Sequence, residues 1–308
     1  MTINPKISIV IVNWNSGIFL FKCLESIVKN DNLHIDKIVV VDNSSSDDSL
    51  KLLDNIISNK INILKLDYNA GFAAACNAGS NHVDSEYLLF LNPDAKITEN
   101  SISLPLEFLA QEKNKKIGIC GISLYENDNK AISCSRFPSL RLLFFESIGL
   151  SKIIKSIGRP MKDFNHNYDQ EVDQVIGAFY IVRRKLFEDL KKFDETFFVY
   201  YEEVDFALRA KQAGYRTYFM SKPKALHYGG GTSENVKSLR LFYNLRSRTL
   251  FFKKHNNFFS YFLVLLITFF IEPFTRCIFS LRKLNFKEIP EILSGYKLLY
   301  VWFFLNKE

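Results

Sequence analysis

Short, continuous apolar runs are the feature of this 308-residue chain that most restricts its fold. Because these runs lack the alternation of a half-exposed strand, they predict strands buried on both faces, as in a parallel sheet. Apolar residues at helical spacing in 18–28 separate the first two runs, which predicts a right-handed β-α-β unit. Further helices are predicted at 50–57 and 184–190, and strands at 7–12, 38–41, 61–66, 87–91, 117–122 and 215–220.

Polar residues stand where predicted strands end, and ligands bind at this edge of an open parallel sheet. Asp42 follows the strand at 38–41 and is placed to accept a hydrogen bond from a ligand N–H. Asp94 follows the strand at 87–91, where a carboxylate can hold a hard divalent cation that also binds phosphate oxygens. The segment Asn92-Pro93-Asp94 is equally compatible with an ordinary turn.

Small residues fill positions 69–79, and they are predicted to open a helix. Small side chains let other groups approach the backbone closely, and a helix N-terminus favours an anion such as a diphosphate. Tight packing of this helix against the sheet is the alternative interpretation of the same residues.

An acidic stretch, FVYYEEVDFALR at 198–209, places three carboxylates within four positions of an apolar run. If a helix begins near Tyr201, Glu202, Glu203 and Asp205 occupy its first turn, where the helix dipole favours them. Asp205 can then pair with Arg209, four residues on. For Glu202 and Asp205, a structural role in a well-capped amphipathic helix and a role in function explain the sequence equally well. For Glu203 we favour a role in function.

Two segments lack periodicity and are predicted to be irregular. Residues 123–170 carry scattered Arg, Lys and aromatic residues, and we predict a variable connection that could shape a substrate pocket. His227 stands just before Gly229-Gly230-Gly231, which predicts a mobile loop. A role as metal ligand or beside phosphate suits this imidazole, although a lone histidine is commonly structural.

Composition indicates one large domain with an appendage, since 47% of residues are hydrophobic and 24% are charged. Five scattered cysteines without a CxxC pair predict reduced thiols in the cytosol. The apolar run at 7–12 is too short for a signal peptide and is typical of a buried strand.

The C-terminal part is basic and aromatic, with 14 Lys and Arg against 5 acids in residues 222–308. Its uncharged run at 258–271 falls short of the roughly 20 residues of a spanning helix, and Glu272-Pro273 is predicted to end it. We therefore predict helices that lie in a membrane interface, with a hydrophobic subdomain or a homodimer contact as the alternative. No motif supports nucleic-acid binding.

Taken together and in order, these motifs resemble the family 2 glycosyltransferases of the GT-A fold, with bacterial rhamnosyltransferase-like members as the nearest match. The resemblance covers roughly residues 6–255. It rests on IVIVNWN at 9–15, VVDNSSSD at 40–47, NAGF at 69–72 with Asn77, LNPD at 91–94, FDE at 193–195, EEVD at 202–205 with Arg209, and His227.

The resemblance implies a role for each matching residue. Glu203, which stands where the family usually has Asp, would be the catalytic base. Asp94 and His227 would hold Mg²⁺ or Mn²⁺, although Asn92 departs from the first Asp of the family's DxD motif. Glu202 and Asp205 would lie on the acceptor side. The nucleotide-sugar donor would be bound by Asn13, Asp42, Asn69, Gly71, Asn77, Asn92 and Asp94.

The expected fold is α/β, a mostly parallel sheet flanked by helices, followed by a helical membrane-associated segment. We expect a GT-A catalytic domain at 1–233, with a donor-binding half at 1–95 and an acceptor half at 96–233. The basic tail at 234–308 is expected to dock on the inner face of the cytoplasmic membrane.

The expected reaction is an inverting, metal-dependent transfer of a sugar from a dTDP- or UDP-sugar to a lipid-linked saccharide in surface polysaccharide synthesis. Rhamnose, from dTDP-rhamnose, is the sugar that we expect. Galactofuranose, glucose and N-acetylglucosamine are the alternative sugars. A membrane-associated scaffold is the non-catalytic alternative. A nucleotidyltransferase is disfavoured, because the first strand is followed by Asn13-Trp14-Asn15 rather than a Gly-rich loop with Arg and Lys.

Overall fold

A computed structural model of the protein describes residues 5–30, 34–56, 58–126, 129–229 and 236–305. The chain divides into two compact units. Unit 1 comprises Met1–Ser135, Asn165–Glu195 and Glu202–Thr232, and unit 2 comprises Arg136–Phe164, Thr196–Tyr201 and Ser233–Glu308. The predicted division at 233 stays a prediction.

Unit 1 is built on the predicted sheet, which has ten strands within the described residues. The strands of unit 1 are β1 Ile7–Asn13, β2 Ile35–Asp42, β3 Ile61–Lys65, β4 Tyr87–Leu91, β5 Ala95–Ile97, β6 Ile117–Glu126, β7 Asn129–Lys130, β8 Cys134–Ser135, β9 Gln170–Val172, β10 Gln174–Val175, β11 Phe179–Arg183 and β12 Arg216–His227. The main path runs β3-β2-β1-β4-β11-β6-β12-β5, and β8 pairs with β10 separately.

The apolar runs produce the parallel part of this sheet. Strands β3, β2, β1 and β4 pair in parallel, so their carboxyl ends share one edge. Strand β11 lies antiparallel between β4 and β6. Strands β1, β2 and β4 are buried on both faces over most of their length, as their unbroken apolar sequence predicts.

Helices cover the sheet of unit 1 and supply the functional segments. They are α1 Ile18–Lys29, α2 Phe72–Ser80, α3 Ser103–Ala110, α5 Arg184–Asp189 and α6 Glu202–Gln212. The helix predicted at 50–57 is instead a 3₁₀ helix at Lys51–Asn55, and residue 57 lies outside the described residues. The fold class predicted from the sequence is confirmed: a mixed α/β fold with a mostly parallel sheet.

Unit 2 is helical, with α4 Leu140–Ser147, α7 Lys237–His255, α8 Phe258–Leu266, α9 Glu272–Arg282 and α10 Glu288–Leu305. Its core joins α7 to α10 through Phe242, Leu245, Ile292, Tyr296 and Leu299. Helix α4 shows that the prediction of an irregular segment at 123–170 was wrong in part. This helix is only eight residues long and its apolar residues are consecutive at 142–145, so they show no clear helical period.

The helix predicted to end at Glu272-Pro273 continues through it. A π-helical turn, Ile267–Ile271, joins α8 to α9, so a continuous helix runs from Phe258 to Arg282. A π turn changes the hydrogen-bond pairing of the backbone, which accommodates the missing N–H and the ring of Pro273. By length and composition alone this helix could cross a membrane, and 22% of its most apolar window is buried.

Candidate active site

A buried polar corner forms where β1 and β2 end. The parallel register places Asn13 beside Asp42, and Asn13 Nδ2 lies 2.8 Å from Asp42 Oδ1. The same amide nitrogen contacts Ser45 Oγ at 3.0 Å and Ser49 Oγ at 2.8 Å. These contacts hold Asp42 in one orientation at the carboxyl edge of the sheet. Sequence reasoning included Asn13 and Asp42 but not the two serines as their partners.

Asn69 and Gly71 form a second rigid group, in front of α2. Asn43 Nδ2 donates to Asn69 Oδ1 at 2.8 Å, and Ala70 N donates to Asn43 Oδ1 at 2.8 Å. Gly71, at φ 86° and ψ 169°, adopts a backbone conformation that only glycine reaches readily. Asn43 follows Asp42 directly, so it ties the end of β2 to the segment that opens α2. Sequence reasoning did not single out Asn43.

Asn77 lies inside α2, and the structure shows how its amide is engaged. Nδ2 donates to Phe193 O and to Glu195 Oε1, both at 2.9 Å, and Oδ1 accepts from Phe193 N at 3.1 Å. This arrangement fastens α2 to the segment before the acidic helix. The donor-binding role of Asn77 stays a prediction.

Asp94 and His227 meet at the other end of the sheet edge. Strand β12 pairs with β5, with His227 opposite Ala95, and His227 Nε2 lies 3.3 Å from Asp94 Oδ1. The prediction that His227 lies on a mobile loop was wrong, because it is the last residue of β12. Glycines 230 and 231 lie outside the described residues.

The metal-binding role of Asp94 and His227 stays a prediction, and their spacing is compatible with it. Two neighbouring ligands at roughly 2.1 Å from an octahedral Mg²⁺ lie about 3.0 Å apart, close to the spacing of Asp94 and His227. Among the described residues, no group of three or more His, Cys, Asp and Glu side chains could hold a metal. The remaining ligands would therefore come from phosphate oxygens and water, as is usual for Mg²⁺.

The acidic helix α6 begins at Glu202, one residue later than predicted. Its first turn contains all three acids, and Arg209 Nε pairs with Asp205 Oδ2 at 2.7 Å, as predicted. Asp205 is fully buried, and the other guanidinium nitrogens of Arg209 bond the carbonyls of Leu190 and Lys192. This pairing anchors the helix, while the acceptor-side role of Asp205 stays a prediction.

Glu202 and Glu203 differ in their surroundings. Glu202 is buried, and its Oε2 has no hydrogen-bond partner among the described residues. Burial raises the pKa of Glu202 well above its ordinary value, and the neighbouring charge of Glu203 raises it further. Both effects favour the protonated form of Glu202.

Two features around Glu203 were not visible in the sequence. Tyr200 and Tyr201, just before the helix, have φ of 67° and 72°, a costly conformation for bulky residues that persists where the surroundings enforce it. The backbone of Gly177 lies against Glu203, since a Cβ added to Gly177 would sit 3.8 Å from Glu203 Cγ. Glycine leaves room for the carboxylate there.

The short segment Gly177-Ala178 lies against Glu203 and is hydrogen-bonded to Asn92. Asn92 N donates to Ala178 O at 3.0 Å, and Asn92 lies two residues before Asp94. Glu203 and the Asn92-to-Asp94 turn therefore both border the same two-residue backbone segment. The predicted base and the predicted metal ligand lie in one region of unit 1.

Comparison with known proteins identifies the family. The family model described as "Glycosyl transferase family 2" matches residues 8–191. Rhamnosyltransferase WbbL of Escherichia coli is 27% identical over 78% of this chain and 89% of its own length. A GalNAc(5)-diNAcBac-PP-undecaprenol beta-1,3-glucosyltransferase of Campylobacter jejuni is 25% identical over 63% of this chain and 56% of its own length.

Among solved structures, the mannosyltransferase PcManGT of Pyrobaculum calidifontis, in complex with GDP-Man and Mn²⁺, has a TM-score of 0.59 at 14% identity. The similarity covers 100% of this chain and 89% of that one, and it supports the same fold. The family model matches more than half of the chain. The protein therefore belongs to glycosyltransferase family 2 and is a glycosyltransferase.

Proposed function

We propose that this enzyme is an inverting, metal-dependent glycosyltransferase that moves rhamnose from dTDP-rhamnose to a hydroxyl of a lipid-linked saccharide. Its biological role would be bacterial surface polysaccharide synthesis. The observation that carries the proposal is that Glu203 and the Asn92-to-Asp94 turn border the same segment, Gly177-Ala178. The similarity to the rhamnosyltransferase of E. coli supports the sugar, and the similarity to the C. jejuni enzyme supports the acceptor.

On the donor side, Asp42 accepts an N–H of the nucleotide base. The contacts of Asp42 with Asn13 fix the orientation in which it does so. Asn69 and Gly71 lie along the donor at the N-terminus of α2, where backbone N–H groups and the helix dipole favour diphosphate. Asp94 and His227 would hold Mg²⁺ or Mn²⁺, which would supply charge neutralisation for the departing diphosphate.

On the acceptor side, Glu203 takes the proton of the acceptor hydroxyl. As that proton leaves, the acceptor oxygen forms its bond to the anomeric carbon and the bond from this carbon to the diphosphate oxygen breaks. The anomeric configuration inverts because attack and departure occur on opposite faces. Glu202 stays neutral beside the base, so Glu203 does not compete with a second carboxylate for the proton.

A donor screen on the full chain tests this function. Turnover of dTDP-rhamnose, UDP-galactofuranose, UDP-glucose and UDP-N-acetylglucosamine would be measured with a polyprenyl-diphosphate-linked saccharide, with Mg²⁺, Mn²⁺ or EDTA. We expect turnover of dTDP-rhamnose that EDTA abolishes. Turnover of a UDP-sugar instead would replace the donor and leave the mechanism standing, whereas turnover that survives EDTA would contradict the metal site.

A further inference from the structure

Unit 2 contains a cavity of about 340 Å³, a volume in the range of small-ligand sites. It is lined by α4, by residues 151–162, by α7 and by α9. Two carboxylates, Glu146 and Glu272, line it together with five cations, Lys152, Arg159, Lys162, Arg248 and Arg276. The wall of the cavity therefore carries an excess of positive charge.

Both carboxylates are already engaged. Glu272 Oε2 lies 2.5 Å from Arg248 Nη2, and Glu272 Oε1 lies 2.7 Å from Arg276 Nη2. Glu146 Oε1 accepts the backbone N–H of Arg159 at 2.6 Å. One carboxylate thus bridges two guanidinium groups and the other binds a backbone donor, so the two carboxylates offset only part of the charge of the five cations.

Arg248 presents a donor that no described residue satisfies. Its side chain is buried, and Nη1 and Nη2 bond Glu272 and Thr268. Its Nε has no hydrogen-bond partner among the described residues. Its Nε is enclosed by the protein, so a ligand in the cavity would meet the charge of Arg248 rather than bond this N–H.

Lys152 and Arg159 are held at the wall by aromatic rings. Lys152 Nζ lies 3.5 Å from the centre of the Phe279 ring, and the Arg159 guanidinium lies 5.1 Å from that of Tyr201. Burial lowers the pKa of Lys152, and the nearby charges of Lys283 and Arg276 lower it further. A ligand anion would relieve this crowding of like charges.

Helix α9 also has an apolar face, on the side of the helix away from the residues that line the cavity. Thr275, Arg276 and Phe279 line the cavity. Phe274, Ile278 and Leu281, at helical spacing, are 68%, 47% and 46% exposed. One helix thus contributes both to a cationic pocket and to an exposed apolar stripe, and an amphiphile with an anionic head and a hydrocarbon chain combines the same two chemistries.

We propose that this cavity binds the phosphate or diphosphate head of a membrane lipid, whose chain lies along the apolar face of α9. The occupant is a lipid head rather than a free phosphate, because the apolar stripe has no role for a soluble anion. That this lipid carries the acceptor saccharide rests on the proposed function, whereas the binding itself does not.

Vesicle binding by the full chain tests the proposal. Phosphatidylcholine vesicles with and without undecaprenyl diphosphate would be compared for wild type and the double variant Lys152→Gln/Arg159→Gln. Two lost cations at such a surface should weaken binding to the phosphate-bearing vesicles roughly tenfold or more. The matched control, Lys155→Gln/Lys287→Gln, removes two cations outside the cavity lining and should change binding less than threefold.

Two further measurements distinguish binding of the lipid head from binding of the lipid chain. Phe274→Ser/Ile278→Ser should lose vesicle binding while its affinity for inorganic pyrophosphate, measured by calorimetry, stays within twofold of wild type. If the cavity variant and its control lost vesicle binding equally, the binding would depend on general surface charge and not on the cavity. That result would overturn the proposal. Binding of pyrophosphate without any preference for phosphate-bearing vesicles would overturn the lipid as occupant.

Measuring the affinity of the same variants for the donor nucleotide tests this proposal independently of the proposed function. Lys152 and Arg159 belong to unit 2, and every residue assigned to donor binding belongs to unit 1. We expect unchanged donor affinity in the cavity variants. If the cavity variants lose vesicle binding and keep their donor affinity, the result supports lipid binding by the cavity and says nothing about the proposed reaction. If no donor is turned over in the screen, the proposed function fails and the conclusion on lipid binding is unaffected.

Discussion

Glu202 in unit 1 and Glu272 in unit 2 are nearly equally buried, 4% and 5% exposed, yet their pKa values move in opposite directions. Burial and the charge of Glu203 raise the pKa of Glu202 well above its ordinary value. Burial alone would raise the pKa of Glu272 too, but the charges and hydrogen bonds of Arg248 and Arg276 lower it to about 2.

The difference shows that burial does not by itself decide the state of an acid. Glu272 is ionised because two guanidinium groups accompany it, and such a network fixes the packing of helices. Glu202 has a second acid as its neighbour instead, so it is stabilised in the protonated form. A pair of acids that share a site and differ in protonation is typical of acid–base chemistry, whereas a compensated carboxylate is typical of structure.

The largest effect is expected for Glu203→Gln, which keeps the shape of the side chain and removes the base. Turnover should fall by about 10²–10⁴-fold, the usual contribution of a positioned base, while the dissociation constant of the donor nucleotide stays nearly unchanged. Steady-state kinetics and calorimetric titration measure the two quantities. Glu188→Gln, at a half-exposed acid paired with Arg184, is the control and should leave both quantities unchanged. Weakened donor binding with unchanged turnover would refute the role of Glu203.

Glu272→Gln is expected to destabilise the protein by about 3 kcal/mol, because it leaves the buried guanidinium group of Arg248 and the partly exposed one of Arg276 without their counter-charge. Chemical denaturation followed by circular dichroism measures the loss. Glu112→Gln is the control, since Glu112 forms an exposed pair with Lys115 and should leave the midpoint unchanged. A loss below 1 kcal/mol would show that the network contributes little, and it would remove the contrast with Glu202.

The sequence was sufficient for the features that depend on local pattern. Strand β4 has the predicted bounds, and the pairing of Asp205 with Arg209 follows from helical spacing alone. The shared edge of Asp42 and Asp94 follows from the parallel order of buried strands. These features need only the period of the chain and the rules of sheet connection.

Features that depend on distant partners could not be predicted. His227 reaches Asp94 because β12 returns to pair with β5, more than a hundred residues away in the chain. Gly177 lies under Glu203 through the same kind of long-range packing. The continuation of the helix through Pro273 depends on a π turn, which has no clear sequence signal. Local patterns carry no information about such contacts.

Glu202→Gln should remove part of the pH dependence of stability. Since the pKa of Glu202 is raised in the folded state, the folded protein keeps a proton that the unfolded chain loses above the ordinary value of 4.5. Wild-type stability from this group is therefore complete below pH 4.5 and falls as the pH rises. The introduced amide cannot ionise, so the variant does not lose stability in this way. The stability of the variant relative to wild type should therefore increase as the pH rises.

Thermal unfolding of Glu202→Gln and wild type at pH 5 and pH 8 measures that change. We expect the variant to gain roughly 2–4 °C on wild type between the two values, which corresponds to about 1 kcal/mol. Glu25→Gln, an exposed acid paired with Lys29, is the control and should show no such gain. A difference between Glu202→Gln and wild type that is equal at both pH values would mean that Glu202 titrates normally.

The smallest effect is expected for Tyr180→Phe. The Tyr180 hydroxyl is buried and has no hydrogen-bond partner among the described residues, and burial and the charge of Glu203 raise its pKa well above 10. Removing an unsatisfied buried hydroxyl should stabilise the protein by about 1 kcal/mol, as chemical denaturation would show, and change turnover less than threefold. Turnover lowered tenfold or more would instead make Tyr180 a positioning residue for Glu203, and the acid pair would then depend on a neutral neighbour much as Glu272 depends on its arginines.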